Sequence, residues 1–227
     1  MIGEGTFYGC TGLKSLGGIP EGVTMIALRA FHGCTGLTSL DGIPEGVTTI
    51  GGGTFADCTG LTSLAGIPEG VTTFGDRAFD GCTGLTSLGG IPEGVTTIDE
   101  SAFLGCKGLT NVNVPCSVTS ICDYAFYGCT GLTSFTIPSS VTSISDRAFQ
   151  GCTGLEAAAE ARGLATVVEW GRYCFVVNRR VSVLACVAVG RRQIFDAHGQ
   201  EELVSALLVN LAYVPDDVLR VIVGFVA

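Results

Sequence analysis

The chain has 227 residues, a formal net charge of −9, 47% apolar residues and 34 glycines. An apolar fraction of that size excludes wholesale disorder. Glycine at about twice its usual share means turns that recur many times. With two lysines and an acidic balance, little here would release counterions along a phosphate backbone, so no nucleic-acid partner is expected.

The opening residues, MIGEGTFYGC, contain neither the basic n-region nor the apolar h-region of a secretory signal. No apolar run reaches the ~18 residues of a spanning helix; Val181–Val189 comes nearest, between Arg179–Arg180 and Arg191–Arg192. The expectation is a cytoplasmic protein with no membrane span. Cell-surface placement is the alternative if a segment precedes Met1. The eleven cysteines cannot all pair within one chain. Seven of them (Cys10, Cys34, Cys58, Cys82, Cys106, Cys129 and Cys152) return every 24 and then every 23 residues. One cysteine per identical unit reads as a ladder of buried free thiols, each packing as a small hydrophobe in a reducing compartment.

Repetition governs residues 1–155. Phe7, Phe31, Phe55, Phe79, Phe103, Phe126 and Phe149 step by the same period, as do the prolines from Pro20 to Pro138 and the threonines from Thr24 to Thr142. The unit is close to FxGCTGLTSLxGIPEGVTTIGDRA. In Leu132–Ile137, Phe135 and Ile137 are two apart and share the inner face of a short strand, with Ser134 and Thr136 outside. The first four units carry an extra residue at this point (Gly17-Gly18, Asp41-Gly42, Ala65-Gly66, Gly89-Gly90), which reads as a bulge in the strand.

Ile-Pro-Glu-Gly follows, a turn with proline at its second position, and then a second extended piece such as Val47–Ile50. Asp76, Glu100, Asp123 and Asp146 precede "xAF", where a carboxylate would cap a single helical turn. Gly33, Gly81 and Gly105, and likewise Gly36, Gly84 and Gly108, read as positions that need positive φ. Asp57 stands in for the first of these glycines in one unit and tolerates that conformation. Units stacked about 4.8 Å apart would share one core of leucine, isoleucine, valine, phenylalanine and cysteine, stabilised by nearest-neighbour burial. The fold class expected is a leucine-rich-repeat β-solenoid, with short parallel strands plus single helical turns per 23–24-residue rung, and an α-helical C-terminal region.

These residues resemble the BspA-like leucine-rich repeats, whose unit reads LxxIxIPxxVxxIgxxAFxxC. LTSFTIPSSVTSISDRAFQGC (Leu132–Cys152) follows this framework, with Phe135 at the first isoleucine position and Ser145 at the glycine. The resemblance covers about six units. It implies an adhesion or interaction module with no catalytic centre in the repeats.

Repetition stops at Leu155, so two regions are expected: 1–155, the solenoid, and 156–227, a helical cap or interaction region. EAAAEARG is rich in helix formers, Trp170–Arg192 holds five arginines and no acid, and Leu203, Leu207 and Leu211 mark an amphipathic helix. The segment from Val214 is similar to the first helix of an F-box, which would make the chain an adaptor. Capping the last rung is the plainer reading, since a solenoid end leaves strand edges unpaired.

No catalytic constellation appears. His32 and His198 have no Cys-x-x-Cys nearby, so no zinc site is expected. Gly51–Ala56 fits a dinucleotide fingerprint only formally, because no βαβ unit surrounds it. No cofactor, metal or small-molecule substrate is expected. Two outward stripes remain as partner-binding candidates. The strand stripe carries Ser15, Ser39, Asp41, Ser63, Ser87, Asn111, Asn113, Ser134 and Thr136, with none of the Trp, Tyr or Arg anchors that dominate interfaces. The turn stripe carries Glu21, Glu45, Glu69 and Glu93, an acidic column open to a basic partner or loosely held calcium. Threonine regularity raises ice binding as a remoter option. The function expected is a non-enzymatic protein–protein interaction scaffold with an unidentified protein partner; the alternatives are cell-surface adhesion and the adaptor role.

Overall fold

The computed structural model of the protein describes residues 1–160. The helices expected beyond Glu160, the F-box-like segment and any cap lie outside the described residues. Within 1–160 the chain coils into rungs that stack one on the next. The elements are β1 (Met25–Ile26), β2 (Thr49–Ile50), β3 (Thr73–Phe74), β4 (Thr97–Ile98), β5 (Asn111–Asn113), β6 (Ser120–Ile121), β7 (Ser134–Thr136), β8 (Ser143–Ile144) and α1 (Thr153–Glu160). β1, β2 and β3 form one parallel ladder, β4, β6 and β8 a second, and β5 and β7 a third. Every pairing joins equivalent residues of neighbouring units, as in Ile26 opposite Ile50 and Ile50 opposite Phe74.

The core follows from the repeat. Phe31, Phe55, Phe79, Phe103, Phe126 and Phe149 are buried, as are Cys34 to Cys152 of the ladder and the valines, leucines and isoleucines that recur with them. Consecutive rings from Phe7 to Phe149 stack nearly parallel, their centroids 5.0 to 5.6 Å apart. The rise between rungs sets that spacing. Each ladder thiol donates to the phenylalanine carbonyl one rung back, as Cys82 Sγ does to Phe55 O at 3.1 Å and Cys106 Sγ to Phe79 O at 3.2 Å. These cysteines are free. The exception to the expected ladder is Cys10, which is exposed on the first rung.

Backbone hydrogen bonds bind the rungs in opposite directions on two sides of the coil. Around phenylalanine the amide donates forward, from Phe79 N to Ala102 O at 2.9 Å. Along the threonine column it donates backward, from Thr72 N to Thr48 O at 3.0 Å, with the Thr72 hydroxyl reaching the same carbonyl. Neighbouring rungs are thus held from two sides, and the backward column is interrupted between β3 and β4, which do not pair.

Four local expectations are corrected. The extra residue of the first four rungs makes no bulge, because no strand forms there. Gly18, Gly42, Gly66 and Gly90 take φ between 93° and 103°, and each pair turns the chain where β5 and β7 run straight in the shorter units. Proline occupies the first position of its turn, since Val23 N bonds Pro20 O. The "xAF" segment is a run of β-turns rather than a helical turn. Ala78 N bonds Gly75 O, Asp80 N bonds Arg77 O, and Arg77 between them has φ 59°. Its non-glycine equivalents Arg29, Ser101 and Tyr124 do the same. Finally, Gly33, Gly81 and Gly105 do have positive φ, whereas Gly36, Gly84 and Gly108 do not. They are glycine because a Cβ would lie 2.3–2.4 Å from a carbonyl oxygen of the preceding rung. The helix former signal from Leu155 is met by α1.

Candidate functional site

The strand stripe is split by the turn in the early rungs. Asn111 and Asn113 on β5 stand opposite Ser134 and Thr136 on β7, all four exposed. Ser39 and Ser63 are half-buried; Ser15, Asp41 and Ser87 are exposed, and all five lie in rungs without a strand at this point. The structure therefore gathers four polar residues into one short ladder and leaves the other five flanking a column of turns. No aromatic side chain lies on β5 or β7 except the inward Phe135.

The acidic column is intact. Glu21, Glu45, Glu69 and Glu93 are exposed at the tips of equivalent turns, and the turns stack, so that a Cβ on Gly46 would lie 3.5 Å from both Glu21 O and Val23 O. Cys116 and Ser139 take the glutamate position in the two later rungs, which ends the charge. Four carboxylates about 5 Å apart repel by roughly 0.8 kcal/mol per neighbouring pair in water, less with salt. Among the described residues, no group of three or more His, Cys, Asp and Glu is arranged to hold a metal ion, and no helix is long and apolar enough to cross a membrane.

Sequence reasoning missed the outer turn face. Tyr124 and Tyr127 meet edge to face with centroids 5.7 Å apart. Arg147 places its guanidinium 5.6 Å from the Tyr124 ring centre, and its Nη1 donates to the Tyr124 hydroxyl at 2.9 Å. Beside them the Ser145 hydroxyl donates to Asp123 Oδ1. Asp99 lies close by, its carboxyl pushed up by burial and then by the charge of Asp76. Cys122 is raised as well, by burial first and then by Asp99, Asp76, Asp123 and Glu100. The cue was present in the two tyrosines three residues apart, a pair that occurs in this unit alone among the repeats, although Tyr8 stands at the Tyr127 position of the first unit. The regularity of the framework drew attention away from it.

At the other end of the same face, His32 packs on Tyr8 with centroids 4.7 Å apart, and its Nε2 lies 3.7 Å from Asp57 Oδ2. Asp80 in the following rung is pushed up by burial and by Asp57. The first rung exposes part of its inner surface, where Ile2, Phe7, Leu13 and Ile19 line an open pocket of about 380 Å³.

The enclosed thiols of the ladder's middle rungs are chemically quiet. Burial pushes Cys58 and Cys106 up to about 12. It pushes Cys82 up as well, and Cys129 is raised by its contact with Cys152 and then by burial. A protonated, enclosed thiol is neither nucleophile nor ligand.

The comparisons with known proteins agree with this architecture. The family model described as the BspA type leucine rich repeat region matches in six copies, over residues 1–90, 29–156 and 88–176. Among curated proteins, none matches significantly. A leucine-rich repeat protein of T. pallidum is similar at 30% identity and TM-score 0.61, over 72% of this chain and 75% of its own. A leucine-rich repeat protein of Bacteroides ovatus is similar at 29% identity and TM-score 0.51, over 66% of this chain and 44% of its own. One from Eubacterium ventriosum is similar at 30% identity and TM-score 0.50, over 59% of this chain and 35% of its own. With the repeat unit, the parallel ladders and the buried phenylalanine and cysteine columns all in place, the chain belongs to the BspA-type leucine-rich repeat family.

Proposed function

We propose that the repeats serve as a non-enzymatic scaffold that binds another protein. The observation that carries this reading is the division of labour between the two sides of the coil. Inside, one framework returns with little change, and its six buried thiols each donate to a carbonyl one rung back. Outside, equivalent positions differ from rung to rung: Tyr8, His32, Ala56, Asp80, Leu104, Tyr127 and Gln150 occupy one column, of which Ala56 alone is buried. A constant interior with a varied exterior suits recognition of an extended macromolecular surface rather than turnover of a small molecule.

Immobilised full-length chain should capture a protein from extract of the producing cells, and the capture should saturate. Failure to saturate under several salt conditions would remove the scaffold reading. A second reading, surface adhesion, is supported by the repeat type, since BspA-like repeats serve as adhesion modules as well as interaction modules. The two part on location: protease treatment of intact cells removes a surface-displayed chain and spares one held in the cytoplasm.

A further inference from the structure

We infer that the outer turn face around Tyr124, Tyr127 and Arg147 binds a basic, arginine-bearing segment of a protein partner; this deepens the scaffold reading and rests on it. Tyr124 stands at a turn position with φ 57°, so its ring is carried by a backbone fixed between two neighbouring rungs. Ser101 N bonds Asp123 O on one side, and Phe126 N bonds Ala148 O on the other. Arg147 covers the Tyr124 ring and bonds its hydroxyl. Tyr127, 39% exposed, leans on Tyr124 edge to face and presents its ring to solvent. An aromatic already held in place loses little freedom on binding, which is why such residues anchor interfaces.

The charge beside these rings selects the partner. Asp76, Glu100 and Asp123 are exposed and lie one rung apart, as the bonds from Arg77 N to Glu100 O and from Ser101 N to Asp123 O require. Asp99 adds a fourth, half-buried carboxylate against Asp76. Of the two nearby arginines, Arg77 lies within electrostatic reach of Asp80 and Arg147 bonds Tyr124. The face therefore offers an exposed ring packed on Tyr124, which follows Asp123 in the chain, with Glu100 one rung back and Asp123 accepting the Ser145 hydroxyl.

An incoming arginine satisfies both at once, its plane on Tyr127 and its N–H fork on Glu100 or Asp123. Arg147 already brings one guanidinium to a tyrosine of this face, 5.6 Å from the Tyr124 ring centre. Lysine has the charge without the plane, and an acidic or apolar segment would leave the carboxylates repelled or desolvated. The glutamate column at Glu21–Glu93 has acids without rings, which makes it the control.

The test titrates full-length chain into a fluorescein-labelled, capped peptide of alternating arginine and glycine, followed by anisotropy. The expected result is saturable binding that weakens about tenfold in Tyr127→Ala and again about tenfold in Glu100→Gln/Asp123→Asn. Tyr127→Phe should retain it, because the ring and not the hydroxyl makes the contact. Replacing Glu21, Glu45, Glu69 and Glu93 together by glutamine should leave it within about twofold, and the matching lysine–glycine peptide should bind about tenfold more weakly.

Three outcomes would overturn the proposal: no saturation, equal weakening by the four-glutamine variant, or equal binding of the lysine peptide. Melting curves of Tyr127→Phe and Glu100→Gln/Asp123→Asn keep the test readable should Tyr127→Ala unfold. A Tyr127→Ala chain that still captures its partner from extract removes this surface while leaving the scaffold reading in place.

Discussion

Gly84 and Gly89 are five residues apart and look interchangeable in the repeat, yet their surroundings differ. A Cβ on Gly84 would lie 2.4 Å from Thr59 O and 3.0 Å from Leu61 O, whereas one on Gly89 would meet nothing nearer than 3.8 Å. Backbone cannot step aside as a flexible side chain can, so Gly84→Ala should destabilise by about 2–3 kcal/mol and Gly89→Ala by no more than about 0.5 kcal/mol. Urea midpoints of the two variants, compared at equal m-value, check the contrast. Conformation at this scale was half legible. Gly33, Gly81, Gly105 and even Asp57 were read correctly as left-handed, because these residue types tolerate it. Arg29, Arg77, Ser101 and Tyr124 were not, since nothing about an arginine or tyrosine announces positive φ. The neighbouring rungs impose it, and the packing around them offsets its cost.

At the scale of the element, the phenylalanine stack makes position along the coil count. Phe103 has a ring on each side, 5.4 Å to Phe79 and 5.5 Å to Phe126, and is fully enclosed. Phe7 has a neighbour only in Phe31 and is 36% exposed. Phe103→Ala should therefore cost about 3–5 kcal/mol, and Phe7→Ala less than half of that. Thermal melts that show equal losses would mean the stack is not held rung by rung.

Strands were legible where two inward residues alternate with polar ones, as in Val112 between Asn111 and Asn113. They failed in the early units because a single added glycine can be absorbed in two ways. A bulge keeps the strand and bends it; a turn abolishes it. The glycine takes φ near 100° and lies so close to the previous rung that a Cβ on Gly42 would come within 2.8 Å of Gly17 N, and this contact decides for the turn. The consequence for the candidate stripe is direct, since the side chains expected along one ladder share it only at β5 and β7. The outer aromatic pair went unread for a related reason: a repeat teaches what is constant, and Tyr124 and Tyr127 are departures from it.

Across the described stack, the cysteine column ties stability to pH. Free thiols of an unfolded chain ionise near the ordinary value of 9.0, whereas Cys58 and Cys106 hold their protons to about 12 in the fold, and Cys82 and Cys129 are raised too. A group raised on folding lends stability that is complete below its unfolded value and is lost as pH climbs toward the folded one. Between pH 9 and 12 each such thiol should remove up to about 1.4 kcal/mol per pH unit. Urea midpoints should thus be level near neutrality and fall steeply above pH 9, with a shallower fall in Cys58→Val. A midpoint independent of pH in that window would place these thiols in contact with water.

Because the amides donate forward on one side of the coil and backward on another, a rung inside either the β1–β2–β3 or the β4–β6–β8 ladder offers its successor the surface its predecessor offered it. An in-frame duplication of one whole unit would be received as a native neighbour, so the molecule can grow or shrink by tandem copying without redesign at either junction.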